Sequence, residues 1–363
     1  MVKRNHNGVS GARKALIGLG VAFLVMFLLA ALNQEQIKLL VRRPLPPSSG
    51  AISVVETSDL DGRFGVVLTN SAYFQETLQL VGVPWYLDYS FDVRDIPPGA
   101  AKALKVRSDR RAPASEIQAA ARARPGSYWL IGNEPNNPGQ DNVEPDVYAE
   151  TLHYYVTTLK EADPSAKIAA PEILNFDATC TGCPGYPSGR EWLEGLRRAY
   201  RDRYEEEPPV DVWSIHTYDL DWEQLPQGDY AAQTKELLAF RKYLDTIPGQ
   251  QGKPIWLTEF SVMWAYGDIR WETSNKGLLA YPVGELKEAH LKEYLVAMIG
   301  WLRANAEALR LEHWFLFASH PYQEMWAAAP GGMALVEGAG SEAHLTELGR
   351  LYKALARGGE TAK

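Results

Sequence analysis

Cysteine is nearly absent from this chain of 363 residues. The two cysteines, Cys180 and Cys183, stand close together in a segment that also contains several glycines and prolines. A thiol redox motif would need the pair at a helix N-terminus, and a zinc site would need ligands that no second cysteine pair supplies. We therefore expect a disulfide that closes a small loop, with a redox motif and half of a zinc site as the alternatives.

The signatures of several enzyme classes are also missing. No glycine-rich phosphate loop follows the first strand-like segment, so a dinucleotide-binding fold lacks its motif. We find no nucleophile elbow, no helix with paired histidines and no serine dyad, which are typical of other hydrolases. His313 and His320 are seven residues apart and have no further ligands near them, so we predict no metal site and no cofactor.

Positive charge is in deficit over most of the chain. The formal net charge is −8, and the four basic residues that precede Glu35 contribute +4, so the remainder carries −12. An acidic protein repels nucleic acid and anionic surfaces. We therefore expect no nucleic-acid partner, and the sequence shows no sign of an obligate protein partner.

A long uncharged run covers residues 15–32, directly after Lys3, Arg4, Arg13 and Lys14. This run is long enough to span a bilayer and longer than the core of a signal peptide. Its basic flank would remain in the cytoplasm. We predict a single-pass transmembrane signal anchor in the cell membrane, with the rest of the chain outside the cell. Secretion after cleavage of a signal peptide is the alternative.

Strand-like and helix-like patterns alternate after a linker rich in proline and serine. The predicted strands are residues 65–68, 84–89, 103–106, 128–132, 167–171, 210–216, 254–258 and 311–317. The predicted helices are residues 71–80, 114–123, 145–161, 190–204, 231–244, 285–306 and 343–356, with little helix expected at 92–99. This α/β pattern predicts a (β/α)8 TIM barrel rather than an open doubly wound sheet.

The predicted organisation has five parts. They are a cytoplasmic basic segment at residues 1–14, the transmembrane helix at 15–32, a linker at 33–60, the barrel at 61–357 and a short tail at 358–363. We find no internal repeat and no low-complexity segment. All of the chemistry is therefore expected in the barrel.

Two glutamates stand where predicted barrel strands end. Glu134 follows the fourth strand in the motif Asn133-Glu134-Pro135, and Glu259 ends the seventh strand after Thr258. The C-terminal ends of barrel strands carry the active sites of TIM barrels. Two carboxylates on either side of a sugar ring are the minimal equipment for cleaving a glycosidic bond.

Alternation of side chains along a strand predicts which residues face the barrel interior. If Glu259 points into the mouth, then Ile255 and Leu257 point inward below it, while Trp256 and Thr258 face the helices. The same alternation on the fourth strand turns Tyr128, Leu130, Gly132 and Glu134 inward. The two glutamates would then flank one bound sugar.

With these motifs in these positions, the chain resembles the clan A glycoside hydrolases, which are retaining enzymes on a (β/α)8 barrel. The resemblance extends from about Gly65 to Ala356 and includes residues 84–89, 215–218 and 345–352. It implies that Glu134 is the acid/base, Glu259 the nucleophile and Asn133 the donor to the substrate 2-hydroxyl. Segments 84–89 and 215–218 are similar to the β-1,3-glucanase-like families of the clan. The eighth strand departs from the clan pattern, because residues 318–320 stand where a tryptophan is often found.

Further residues are candidates for binding substrate. His216 and Tyr218, at the end of the sixth strand, are expected to hydrogen-bond Glu259 and keep it charged. Asp88 and Glu172 end the second and fifth strands, where they would bind sugar hydroxyls or cap the segments that follow. Trp85 and Trp326 are the candidates for stacking against sugar rings.

The sequence therefore predicts a retaining glycoside hydrolase that cleaves an extracellular, neutral β-linked polysaccharide by double displacement. No basic residue follows Glu259 closely and no Lys/Arg cluster lines the predicted mouth, which favours neutral glucans or mannans over uronic-acid polymers. A transglycosylase on the same scaffold and a glycan-binding barrel without activity are the alternatives.

Overall fold

The computed structural model describes residues 54–55, 60–92, 96–180, 186–220, 229–262, 268–274, 277–283, 286–320, 333–358 and 360–361. The predicted anchor at residues 15–32, Cys183 and Trp326 lie outside these ranges. None of the helices within them is long and apolar enough to cross a membrane.

Eight parallel strands form a closed barrel, as the sequence predicts. The strands are β1 Phe64–Val67, β2 Trp85–Leu87, β3 Ala101–Val106, β4 Tyr128–Ile131, β5 Lys167–Leu174, β6 Val212–Thr217, β7 Ile255–Phe260 and β8 Leu311–Leu316. Each strand pairs with its neighbours in the sequence, and β8 pairs with both β7 and β1. The C-terminal ends of all eight strands therefore meet at one mouth.

Helices alternate with the barrel strands. They are α1 Phe74–Val81, α2 Ala114–Ala123, α3 Pro145–Ala162, α4 Gly189–Tyr204, α5 Tyr230–Leu244, α6 Leu286–Leu309 and α7 Glu347–Ala356. Between β2 and β3, the described residues contain no helix, as expected from the sequence. The additional strands Asp268–Ser274 and Gly277–Val283 form an antiparallel pair that follows β7.

The barrel has an outer and an inner apolar layer. Strand residues such as Trp129 and Ile215 pack in the outer layer, which continues onto the helices. The inner layer includes Leu130 and Phe315. Alternation on β4 is as predicted, because Tyr128 and Leu130 belong to the inner layer.

On β7, the side chains that were predicted to face inward before Glu259 are the wrong ones. Trp256 belongs to the inner layer, whereas Ile255 and Leu257 belong to the outer layer. The pairing of β7 with β6 shifts by one residue between Leu257 and Glu259, so that Thr258 is an extra residue in the strand. A bulge of this kind reverses the alternation, which returns Glu259 to the inner side.

Aromatic rings fill the barrel at the N-terminal ends of the strands. The ring centroids of Trp85 and Trp256 are 5.3 Å apart, those of Tyr128 and Trp256 4.5 Å, and those of Trp85 and His313 4.5 Å. We call these four residues the aromatic floor. The proposal from sequence that Trp85 stacks against sugar is therefore corrected, because Trp85 begins β2, at the end of the barrel opposite the mouth.

Candidate active site

The loop after β4 turns Glu134 into the mouth. Gly132 has a φ of 98°, and a Cβ atom on it would lie 3.1 Å from the Ser108 Oγ, so glycine suits this turn sterically and conformationally. The Asp141 Oδ2 accepts hydrogen bonds from the backbone N–H groups of Ser108 and Asn133 at 2.8 and 3.0 Å. Glu134 itself has a φ of 47°, and its N–H donates to the Glu172 carbonyl at 3.0 Å.

Glu259 lies at the end of β7 with both carboxylate oxygens hydrogen-bonded. The Tyr89 hydroxyl donates to its Oε1 and the Tyr218 hydroxyl to its Oε2, each at 2.9 Å. The contact from Tyr218 is the one expected from the sequence. The sequence does not single out Tyr89, although it stands at the end of the motif 84–89, next to Asp88.

The two glutamates approach each other closely. A carboxylate oxygen of Glu134, a ring nitrogen of His216 and a carboxylate oxygen of Glu259 all lie within 4.8 Å of one another. Both glutamates are almost buried, with 6% and 5% of their surfaces exposed. The arrangement therefore offers two carboxylates, in a site largely shielded from water, to a molecule that enters the mouth.

His216 lies between the two glutamates. Its Nδ1 is 2.9 Å from the Glu134 Oε1 and 3.5 Å from the Glu259 Oε2, and its Nε2 is 3.5 Å from the Glu172 Oε1. Burial alone would lower the pKa of His216, but the three carboxylates outweigh burial and raise this pKa to about 9. The imidazole is therefore doubly protonated at neutral pH, and each ring nitrogen carries a hydrogen.

The pKa of Glu259 is raised above its usual value of 4.5. Burial is the largest cause, and the nearby Glu134 adds to it. His216, Lys105 and the hydrogen bond from Tyr218 act in the opposite direction. The site therefore needs these positive and polar groups to keep Glu259 ionised.

The same three side chains could surround a cation in geometric terms. Among the described residues, Glu134, His216 and Glu259 offer ligand atoms at suitable separations. These atoms also have partners within the protein, because the His216 Nδ1 is 2.9 Å from the Glu134 Oε1 and both oxygens of Glu259 accept hydrogen bonds from tyrosine hydroxyls. We therefore assign the cluster to acid/base chemistry.

Lys105 is a buried cation of the site that the sequence did not reveal. Its Nζ donates to the Asn133 Oδ1 at 2.6 Å and lies 3.1 Å from the Glu172 Oε2. The Asn133 Nδ2 in turn donates to the Gln140 Oε1 at 3.0 Å. The sequence predicts no Lys/Arg cluster in the mouth, and Lys105 is a single lysine whose ammonium group is bound to Glu172 and Asn133. Alternation on β3, with Ala103 in the inner layer, is the signal that could have pointed to Lys105.

Glu172 and Asp88 have partners within the protein. Glu172 is 0% exposed and lies between Lys105 and His216, so the prediction that it binds a sugar hydroxyl is wrong. The Asp88 Oδ1 accepts hydrogen bonds from the backbone N–H and the hydroxyl of Ser90, and it lies 2.8 Å from the Lys102 Nζ. These contacts agree with the capping alternative for Asp88.

The tip of β8 is polar. The Ser319 Oγ accepts a hydrogen bond from the Thr69 N–H at 3.1 Å and lies 3.1 Å from the His320 Nδ1.

Cys180 is disulfide-bonded, and Cys183 is the only other cysteine in the sequence.

Comparisons with known proteins bear on the family and the fold of this chain. A family model described as the glycosyl hydrolase catalytic core matches residues 82–352. Among curated protein sequences, none matches this chain.

Three solved structures show the same fold. One is a GH128 (subgroup II) endo-β-1,3-glucanase from Pseudomonas viridiflava, with a TM-score of 0.56, 20% identity and coverage of 81% of this chain and 97% of that one. A GH128 (subgroup I) endo-β-1,3-glucanase from Amycolatopsis mediterranei, in complex with laminaritriose, has a TM-score of 0.52, 19% identity and coverage of 81% and 99%. A GH128 (subgroup III) curdlan-specific exo-β-1,3-glucanase from Blastomyces gilchristii, in complex with glucose, has a TM-score of 0.50, 18% identity and coverage of 80% and 97%.

Proposed function

Because the chain belongs to the glycosyl hydrolase catalytic core family, we propose that it is a retaining β-1,3-glucanase. Glu134 is the acid/base and Glu259 the nucleophile in this proposal. The observation that carries it is the pair of carboxylates of which one oxygen each lies within 4.8 Å of the other. Retaining enzymes hold their two carboxyl groups about 5–5.5 Å apart, whereas inverting enzymes need about 6.5–9.5 Å to admit a water.

In the first step, a carboxylate oxygen of Glu259 attacks the anomeric carbon of the bound sugar. The glycosidic C–O bond breaks, and Glu134 gives its proton to the departing oxygen. The products are a free sugar hydroxyl on the leaving chain and a glycosyl ester on Glu259. The hydrogen bonds from Tyr89 and Tyr218 hold the Glu259 carboxylate for this attack.

In the second step, a water molecule attacks the anomeric carbon of the glycosyl ester. Glu134, now ionised, takes a proton from this water, and the bond between the sugar and Glu259 breaks. Glu259 returns as a carboxylate and Glu134 as an acid. One glycosidic bond and one water are consumed in each cycle.

The choice of a β-1,3-glucan as substrate has two supports. The similar structures are β-1,3-glucanases, and one of them was solved with laminaritriose. The net charge of −8 also favours a neutral polymer over an anionic one. Lys105 does not alter this choice, because its ammonium group is already bound to Glu172 and Asn133.

The test is hydrolysis by the purified full-length protein of a panel that contains β-1,3-, β-1,4- and mixed-linkage glucans, mannan and xylan. We expect activity on the β-1,3-linked members and its loss in Glu134→Gln and Glu259→Gln, by a factor of about 10² or more for the acid/base alone. Full activity in either variant would overturn the proposal. Products longer than the substrate would indicate a transglycosylase, and tight binding without turnover a glycan-binding barrel.

We also propose that the barrel acts outside the cell and that residues 15–32 anchor it in the membrane. The uncharged run and the basic residues before it support this location. Protease added to intact cells should remove the barrel. Protection of the barrel from protease would contradict the proposal, and release of the barrel into the medium would indicate a cleaved signal peptide.

A further inference from the structure

Glu172 is a buried carboxylate that the two catalytic steps do not use. It is 0% exposed, and its φ of 58° lies in the left-handed region that residues other than glycine seldom adopt. The pairing of β5 with β6 shifts at this point, so that Glu172 is an extra residue opposite Ser214 and Ile215. Bulges next to active sites redirect side chains. Here the bulge directs the carboxylate of Glu172 toward His216.

The contacts of Glu172 show what this carboxylate holds. Its Oε2 is 3.1 Å from the Lys105 Nζ, and its Oε1 is 3.5 Å from the His216 Nε2. The Lys105 Nζ also donates a hydrogen bond to the Asn133 Oδ1 at 2.6 Å. Glu172 is therefore fixed from one side by Lys105 and faces the imidazole on the other.

The opposite edge of the imidazole faces both catalytic carboxylates. The Nδ1 of His216 is closer to Glu134 than to Glu259, at 2.9 and 3.5 Å. One N–H group thus lies within reach of two acceptors. The titratable and charged groups around this imidazole and its partners include Glu134 after β4, Glu172 on β5, Glu259 on β7, Lys105 on β3, Tyr218 after β6, Tyr89 after β2, Tyr148 on α3 and Tyr186.

The proposed reaction changes which of these two acceptors is ionised. In the first step Glu259 is ionised and Glu134 carries the proton. In the second step Glu259 is a neutral ester and Glu134 is ionised. The catalytic pair therefore carries one negative charge in each half of the cycle, but on a different residue.

We propose that Glu172, fixed by Lys105, is a positioning residue that holds His216 as an imidazolium. The single Nδ1–H of His216 then donates a hydrogen bond to Glu259 in the first step and to Glu134 in the second. This inference rests on the proposed function and deepens it. Glu172 acts through His216 and does not touch the substrate. The raised pKa of His216 agrees with this role, because Glu172 is one of the three carboxylates that raise it.

The test is an NMR titration of the His216 ring nitrogens in the full-length protein labelled with 15N-histidine. The chain has seven histidines, so the His216 signals are assigned by their loss in His216→Gln. We expect His216 to remain doubly protonated up to about pH 9 in the parent protein. In Glu172→Gln we expect the midpoint to fall by about 1 unit or more, because a neighbouring carboxylate shifts a pKa by this much.

Two further variants separate this role from a general loss of stability. The double variant Glu172→Gln with Lys105→Met removes both members of the ion pair, leaves no unpaired charge, and should still lower the His216 midpoint. Lys102→Met breaks the other buried ion pair of β3, with Asp88. It should leave the His216 midpoint unchanged.

The titration requires no substrate, so its result is independent of whether the protein hydrolyses a glucan. A midpoint near 6.5 in the parent protein, or the same midpoint in Glu172→Gln, would overturn the inference. With a glucan substrate, Glu172→Gln should lower kcat at pH values above its lowered His216 midpoint, by about tenfold for each pH unit above that midpoint, with KM unchanged. A raised KM with kcat unchanged would instead indicate a role in substrate binding and overturn the inference.

Discussion

Each carboxylate oxygen of Glu259 accepts a hydrogen bond from one tyrosine hydroxyl, and the two tyrosines differ in their exposure. Tyr89 is 41% exposed, whereas Tyr218 is 6% exposed. Water can replace a hydroxyl lost from an exposed position but not one lost from a buried position. The two hydrogen bonds, although equal in length, should therefore differ in their contribution to catalysis.

This difference predicts unequal effects of two matched substitutions. Tyr218→Phe should lower kcat/KM by a factor of about 10–100, because a hydrogen bond to a charged group contributes about 1.5–3 kcal/mol. Tyr89→Phe should lower it less, because water can donate to the Glu259 Oε1 in its place. Steady-state kinetics on a soluble oligosaccharide measures both values. A larger loss in Tyr89→Phe would contradict this account of Glu259.

The pKa of Glu259 predicts the acid side of the activity profile. Glu259 must be ionised to attack, and its pKa is raised above 4.5 chiefly by burial. The acid limb of kcat/KM reports this pKa in the free enzyme, so its midpoint should lie above 4.5. His216→Gln removes a positive charge that lowers the pKa of Glu259 and should move the limb to still higher pH. A limb that moves to lower pH in this variant would be inconsistent with the geometry.

Residues at strand ends could be selected from the sequence, because the mouth of a barrel lies at the C-terminal ends of its strands. Glu134, Glu259 and His216 follow from this rule, and they lie together in the structure. Lys105 does not follow from it as readily, because a lysine at a strand end is more often exposed than buried. The pairing of Lys105 with Glu172 shows its place in the site, and its alternation with Ala103 on β3 is the one sequence signal that points to it.

At the level of elements, all eight strands and the seven helices between and after them follow from the sequence pattern. The bulges on β5 and β7 do not follow from it, because register shifts depend on how a strand pairs with its neighbours. The bulge on β7 has one extra residue, Thr258, and that residue decides whether Trp256 or Leu257 faces inward. Simple alternation therefore gave the wrong inner residues below Glu259.

The position of Trp85 in the aromatic floor predicts a structural role. Trp85→Ala should lower the free energy of unfolding by about 3 kcal/mol, because it removes a large ring from a packed aromatic cluster. KM should not change, since Trp85 begins β2 at the end of the barrel opposite the glutamates. Chemical denaturation and steady-state kinetics on the same sample measure both effects. An increased KM with unchanged stability would restore the stacking role expected from the sequence.

At the level of the whole molecule, histidines with shifted pKa values predict how stability depends on pH. Burial lowers the pKa of His313 to about 4, below its ordinary 6.5. Its contribution to the free energy of unfolding is therefore present above pH 6.5 and is lost as pH falls toward 4. The carboxylates around His216 raise its pKa to about 9, so its contribution is present below pH 6.5 and is lost as pH rises through 9. Asp61, Asp163 and Glu207 have lowered pKa values and add to the loss at acidic pH.

The melting temperature should therefore be highest near pH 6.5 and should fall in both directions. Scanning calorimetry or thermal-shift measurements between about pH 4 and pH 10 cover the range of these pKa values. His313→Gln removes one contribution on the acid side and should flatten that side of the curve without affecting the alkaline side. A melting temperature that rises steadily between pH 6.5 and 9 would contradict the charged state assigned to His216.

The most direct measurement of the central claim is the anomeric configuration of the first product, followed by 1H NMR during cleavage of a β-1,3-linked oligosaccharide. The separation of Glu134 and Glu259 predicts retention, so the β-anomer should appear first and the α-anomer only later, by mutarotation. Glu259→Gln should release no product on the same timescale. Initial release of the α-anomer would mean inversion, and Glu259 would then not be the nucleophile.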